Sequence, residues 1–282
     1  MLNKQDIKAT HLGDAWFQTL FRLLNEGSVF TIDRGSYAGQ RRLEFDYVDI
    51  HITHPGERPL LPQIEPQYGV PNPVADDYLD GYLPYLMTGE IKEGEAYTYG
   101  QRLTKYPIPR SYLDSLERDW KWSSDLIIDE IPELFRLKIL SNGVPPGISI
   151  HPDSPPKEVY LNQIELLIWT YKNKGFRNNQ MVLQVAHPSD MLFKDPPCLR
   201  HIDTRIQDGK LHFYPYFRSW DMWNGLPANL AAIQLLKEYI AAEIGVEDGE
   251  MIASSKGLHI YDYVFDLAKC LRMQENMQLK GE

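Results

Sequence analysis

Cysteine is scarce: the chain has two, Cys198 and Cys270, in 282 residues. Two thiols cannot build a disulfide framework and lack the paired spacing of a zinc site, so each is read as a free thiol. Long apolar runs are missing as well. The longest, "IELLIWTY", is far too short for a bilayer, and the opening "MLNKQDIKATHLGDAW" has no basic start followed by an apolar stretch. A cytoplasmic protein with no membrane partner is therefore expected. Positive charge is also short. A formal charge of −10 and an isoelectric point near 5.3 argue against general nucleic-acid binding, which draws its affinity from many Lys and Arg contacts to phosphates. A small anionic ligand would need only a local arginine cluster. No linker or internal repeat divides the sequence. The proline-rich pieces "GVPNPVADD" and "NGVPPGISIHPDSPPK" are short and sit between patterned segments, so one domain over 1–282 is expected.

What is present can bury a large core: 43% of the residues are hydrophobic and 12% aromatic. "AWFQTLFRLLNEG" has helical spacing and stops at Gly27, and "RRLEFDYVDIHIT" alternates like a strand, with the polar loop "IDRGSYAGQ" between them. "PPKEVYLNQIELLIWTYKNKG" predicts a helix with Pro near its start and Gly past its basic end. "QMVLQVAH", "CLRHIDTRI" and "KLHFYPYF" predict three neighbouring antiparallel strands, the last two joined by "QDGK". "LPANLAAIQLLKEYIAAEIG" predicts a helix with Leu226, Leu230, Ile233, Ile240 and Ile244 near one face. "EMIASSKGLHIYDY" predicts a further strand, with a last helix from about Val264. The expected class is α+β, a large mixed or antiparallel sheet covered by helices.

Cys198 follows "KDPP" at a loop-strand boundary, where a ligand could reach it; a buried apolar cysteine is the alternative. The Arg218-Ser219 pair lies one strand and one turn onward, close enough for the guanidinium to stabilise a thiolate and lower its pKa. Alone, Arg218 reads as a structural ion pair and Ser219 as a turn hydroxyl; together they read as an anion pocket.

An ordered set of motifs carries more. "PPC" at 196–198, "RSWDMWNGLPAN" at 218–229, "GLHIY" at 257–261, "YG" at 99–100 and "LNEG" leading to Arg34 resemble the thymidylate synthase family, continuously from about Gln180 to Tyr263. That resemblance implies a homodimer that transfers a one-carbon unit from a reduced folate, 5,10-methylenetetrahydrofolate or a related pterin, to C5 of a pyrimidine nucleotide monophosphate. Pyrimidine C5 is a poor nucleophile until a thiolate adds at C6, which is the role implied for Cys198. Asn229 is similar to the family residue whose carboxamide serves O4 and N3–H together. Arg218, Ser219 and Arg34 match the phosphate clamp, and bidentate guanidinium contacts suit phosphate oxygens. His259 and Tyr261 match the pair on the sugar 3′ hydroxyl, Asp221 the contact to the pterin, and Tyr99 a tyrosine of the proton-transfer network.

The chain departs from the pattern in places. Arg177 in "FRNNQ" is the available match to an Arg-Arg pair that reaches the partner's phosphate. Leu199 stands where the family has His, with Arg200 next along the strand. In "ADDYLDGYLPYLMTGE", Tyr82 falls in the column of the catalytic glutamate, with Asp80 nearby as the candidate carboxylate and Glu65 more distant. Three readings follow: a dUMP methylase, a pyrimidine nucleotide hydroxymethylase in which water quenches the same adduct, and a nucleotide- or RNA-binding scaffold without turnover. Cys198 argues against the last, since a scaffold needs no nucleophile.

Overall fold

The fold is a computed structural model that describes residues 1–33, 37–75, 77–112, 130–132, 135, 138–141, 158–273 and 278–281. It is mixed α+β. In chain order the elements are β1 (Lys4–Ala9), α1 (Leu12–Glu26), β2 (Ser28–Thr31), β3 (Arg41–Ile52), α2 (Tyr78–Leu86), α3 (Tyr99–Thr104), β4 (Tyr106–Pro109), β5 (Leu140–Ser141), β6 (Glu158–Leu161), α4 (Gln163–Lys174), β7 (Val182–Gln184), β8 (Leu199–Gln207), β9 (Lys210–Phe217), β10 (Trp220–Asp221), α5 (Gly225–Ile244), β11 (Glu247–Tyr261) and α6 (Phe265–Leu271). The chain separates into two compact units, Met1–Pro84 with Gly175–Glu282, and Tyr85–Lys174.

The first unit is built on one sheet of order β1-β3-β11-β9-β8-β7, with β2 added at β3 and β10 at β11. The β7-β8-β9 run is antiparallel, as its turn chemistry predicts, while β9 and β10 run parallel to β11 and β1 parallel to β3, which makes the sheet mixed. At the β8-β9 turn Asp208 and Gly209 take φ of 53° and 75°, the two left-handed positions that match the twist of a tight hairpin. Helix α1 packs on β1 and β3, and α5 on β9, β10 and β11. Their buried faces carry Trp16, Leu20, Leu23 and Leu24 on α1, and Leu226, Leu230, Ile233, Ile240 and Ile244 on α5. Trp16 Nε1 donates to the Trp223 carbonyl at 3.2 Å, tying α1 to the segment that leads into α5. Gly27 ends α1 by turning to extended backbone, φ −65° and ψ 162°, and no larger residue fits there, since a Cβ would lie 2.6 Å from the Leu23 carbonyl oxygen and 2.9 Å from Leu43.

In the second unit, β4, β6 and β5 form an antiparallel sheet of order β4-β6-β5, and α3 packs on α4. Here one expectation is corrected. Residues 158–161, assigned from sequence to the front of a helix, form β6, and the helix begins at Gln163. Val159 and Tyr160 favour a pleated strand, and Asn162 Oδ1 accepts from the Glu165 amide at 3.2 Å, the bond that starts a helix after it. Residues 155–157 of that expected helix lie outside the described residues. Gly175 takes φ of 92° just past its end, as expected of a helix stop. Among the described residues no helix is long and apolar enough to cross a membrane.

Candidate active site

Cys198 lies immediately before β8, half-buried and with a free thiol. The loop ahead of it is held from two sides. The Arg218 Nε donates to the carbonyls of Pro196 and Pro197, both at 3.1 Å, and Nη2 bonds Pro196 again and pairs with Asp195 at 3.0 Å. The Arg218 amide donates to the Cys198 carbonyl at 2.8 Å. From the other side Arg200 Nη1 donates to the Pro197 carbonyl at 3.2 Å and lies 3.6 Å from the buried carboxylate of Asp190. Two consecutive prolines present carbonyl acceptors and no backbone donors at those positions, and the two arginines supply the donors. The expected pull of Arg218 on the thiol is present, and the environment outweighs it. Burial pushes the Cys198 thiol up; Arg218 and Arg200 pull it down without prevailing, and Asp195 and Asp221 add to the rise.

The short strand β10 gathers the other groups. Its Trp220 ring stacks on Phe217 at 4.0 Å, and the indole Nε1 donates to Asn229 Oδ1 at 3.1 Å. Asn229, one turn into α5, donates from Nδ2 to the Tyr82 hydroxyl at 2.7 Å. Sequence reading placed Tyr82 in the column of a carboxylate but saw neither contact: nothing in "RSWDMWNGLPAN" marks Trp220 as a partner of Asn229. Asp221 stands opposite His259 in the β10-β11 ladder, and its Oδ1 accepts from the Trp223 amide at 2.9 Å. Burial raises the Asp221 pKa, with the amides of Trp223, Asn224 and Gly225 working the other way.

His259 is 3% exposed. Its Nδ1 lies 2.8 Å from the Gly257 carbonyl, which only accepts, so Nδ1 carries the proton and Nε2 the lone pair. Among the described residues Nε2 has no hydrogen-bond partner. Burial pushes the imidazole down to about 4, so it is neutral at pH 7. The Tyr261 ring meets it edge-on at 4.8 Å and stacks on Tyr37 at 4.7 Å; burial pushes the Tyr261 hydroxyl up to about 12. Glu44, the ladder partner of His259 on β3, is pushed from 4.5 to about 7 by burial, although Arg42 Nη2 lies 2.8 Å away and pulls it down.

A folded-state pKa raised above the unfolded one favours the protonated fold, so this stabilisation is complete below about pH 4.5 and lost as pH rises through about 7. Glu44→Gln should therefore gain stability over the wild type progressively between those values and hold a constant advantage above them. Thermal melts of both proteins from pH 4 to 8 check this; parallel curves would show that Glu44 titrates normally.

The remaining candidates fall elsewhere. Ser219 is half-buried in the bend between β9 and β10. Arg34 lies outside the described residues. Asp80, on α2, is exposed, as is Glu65, and it is Tyr82 that meets Asn229. Tyr99 opens α3 in the second unit, behind the Thr98 cap. Arg177 and Arg205 line a cavity of about 330 Å³ with Phe176, Asp208 and Gly209. Cys270 Sγ points to the Tyr68 carbonyl at 3.7 Å. Among the described residues no group of acidic, His or Cys side chains could hold a metal ion.

Comparison with known proteins gives this arrangement a family. The family model for thymidylate synthase matches residues 97–279, well over half of the chain. A protein of Methanosarcina acetivorans named "Putative thymidylate synthase" is 26% identical over 263 residues, covering 93% of this chain and 92% of its own. One of the same name from Methanococcoides burtonii is 27% identical over 260 residues, 92% of this chain and 91% of its own. Another, from Methanothermobacter thermautotrophicus, is 33% identical over 109 residues, 39% of this chain and 49% of its own. With the Cys198 loop, β10 and Asn229 all inside the matched range, this chain belongs to the thymidylate synthase family of transferases.

Proposed function

We propose that the protein methylates dUMP to dTMP through a covalent bond between Cys198 Sγ and C6 of the base. The observation that carries this reading is the segment Arg218–Asn229, which joins the Cys198 loop, the Asn229 amide and the strand of His259. Arg218 holds the Cys198 loop, Trp220 holds the base-reading amide of Asn229, and Asp221 lies against His259. Attack by sulfur at C6 moves the C5–C6 electron pair toward O4, and Asn229 Nδ2–H stabilises the charge that develops there. The raised thiol pKa means that Cys198 rests as the thiol, so its S–H proton passes to solvent water as the sulfur electron pair forms the S–C6 bond. Arg218, through Nη1, which takes no part in the loop contacts, together with Ser219 and Arg34, binds the phosphate. His259 Nε2, an acceptor in a fixed tautomer, suits a sugar hydroxyl, with Tyr261 beside it.

The family implies a reduced folate, and Asp221 fits one: its half-buried carboxylate beside the site is an acceptor for the N–H edge of a pterin. When bound, 5,10-methylenetetrahydrofolate or a related pterin would supply the one-carbon unit and, for methylation, the hydride. Tyr99 belongs to the proton-transfer network in this reading. We also propose a cytoplasmic homodimer in which 1–282 acts as one catalytic domain; the family match runs through both compact units, which supports the single domain. The test is to incubate the protein with dUMP, dCMP, UMP or CMP and methylenetetrahydrofolate, then weigh the nucleotide products. A methyl gain on dUMP with dihydrofolate formed is expected. A hydroxymethyl product with tetrahydrofolate makes the protein a hydroxymethylase, and a bound but unchanged nucleotide makes it a scaffold.

A further inference from the structure

The Asn229 carboxamide is held by two partners of different chemical character. Trp220 Nε1–H can only donate, and it donates to Oδ1 at 3.1 Å; the Tyr82 hydroxyl, 2.7 Å from Nδ2, can donate or accept. The indole cannot turn away, because Trp220 is 2% exposed and its ring lies at 4.0 Å and 7° on Phe217. If the amide turned over, its N–H groups would face the indole N–H, leaving buried donors without an acceptor, which is unfavourable. A tyrosine hydroxyl is chemically able to meet either end of an amide, whereas an indole N–H meets only its oxygen, so Trp220 is the partner that tells the two orientations apart.

That orientation has a consequence for the base. With one lone pair of Oδ1 given to Trp220 and one proton of Nδ2 given to Tyr82, the amide keeps one acceptor at Oδ1 and one donor at Nδ2. Uracil presents a donor at N3 and an acceptor at O4, which match. Cytosine presents an acceptor at N3 and a donor amino group at C4, which do not. We infer that Trp220 is a specificity-determining positioning residue that locks Asn229 in the uracil-reading sense, while Tyr82 supports the amide without choosing its sense. This rests on the reading of Asn229 as the residue that meets the base.

The test is calorimetric binding of dUMP and dCMP to the wild type and to Trp220→Phe, Tyr82→Phe and Asn229→Ala, so that turnover plays no part. The wild type should bind dUMP about tenfold or more tightly than dCMP, as expected when a mismatched edge leaves buried polar groups unpaired. Trp220→Phe keeps an aromatic ring against Phe217 but removes the donor, and the preference should fall by about fivefold or more, chiefly through tighter dCMP binding. Tyr82→Phe should weaken both nucleotides, with their ratio held within about twofold. An unchanged ratio in Trp220→Phe, or a shifted one in Tyr82→Phe only, overturns the inference. Failure of the underlying reading looks different: neither nucleotide binds, or Asn229→Ala binds both as the wild type does, and the inference falls with it. Should Trp220→Phe not fold, the wild type and Asn229→Ala labelled with ¹⁵N-tryptophan decide. The Trp220 indole proton should show a hydrogen-bonded shift with dUMP and with dCMP and lose it in Asn229→Ala, and a shift unchanged by Asn229→Ala would overturn the assignment.

Discussion

Replacing Cys198 by alanine or serine should remove nearly all turnover, a loss on the order of 10⁴-fold in kcat, while nucleotide binding stays within about threefold, the pattern of an interaction made only on the way to the transition state. The reason lies in the base as much as in the protein: C5 gains nucleophilic character only when a strong nucleophile adds at C6, and neither a methyl nor a neutral hydroxyl does so at a useful rate. The environment adds a second expectation. Burial pushes the Cys198 thiol up, so in the free protein it should react slowly with a neutral alkylating reagent at pH 7 and faster as pH rises. Cys270 provides the internal control. Its Sγ serves only the Tyr68 carbonyl among the described contacts, a bond a serine hydroxyl can also make, and Cys270→Ser should leave kcat unchanged. Steady-state rates, calorimetric binding and mass spectrometry of trapped adducts check these points. Normal turnover in Cys198→Ala would end the covalent mechanism.

Arg218→Ala should weaken binding of a nucleoside monophosphate by about 2 kcal/mol or more, the range for losing a charge-assisted contact, and should affect the nucleoside much less. A second effect follows from the way this side chain is used. Its Nε and Nη2 hold the carbonyls of Pro196 and Pro197 and the carboxylate of Asp195, so its removal frees the loop that presents the nucleophile. It also removes the strongest influence lowering the Cys198 pKa, and alkylation of the thiol at pH 7 should slow further. Arg218→Lys separates the two effects, because an ammonium supplies charge but not a planar fork. It should recover much of the phosphate affinity and little of kcat. Binding of nucleoside and nucleotide to the three proteins, with kcat measured alongside, checks this. Equal losses for both ligands in Arg218→Ala would mean that the residue acts through the loop and does not touch phosphate.

Much of this could be read before any coordinates. The apolar spacing of α1 and α5, the alternation along β3 and the turn residues between β8 and β9 are local signals, and local geometry obeys them wherever packing agrees. The order of groups from Arg218 to Asn229 was legible through its resemblance to the thymidylate synthase family, because chemistry fixes which groups must meet in space and leaves their order along the chain to descent. Residues 158–161 show where the local signal stops. Their pattern suited a helix, and pairing with β4 and β5, from distant parts of the chain, made them a strand.

The tertiary structure alone decided the electrostatics and the partners. Whether Cys198 rests as thiol or thiolate depends on a balance between burial and Arg218, and burial cannot be counted along a sequence. Glu44 and His259 have shifted pKa values because folding removes water from both. The amide of Asn229 is caught between Trp220, nine residues away, and Tyr82, 147 residues away. Its identity was written in the sequence, but its orientation was not, because a carboxamide has two polar ends of nearly equal shape and only the fold brings up the donor that tells them apart.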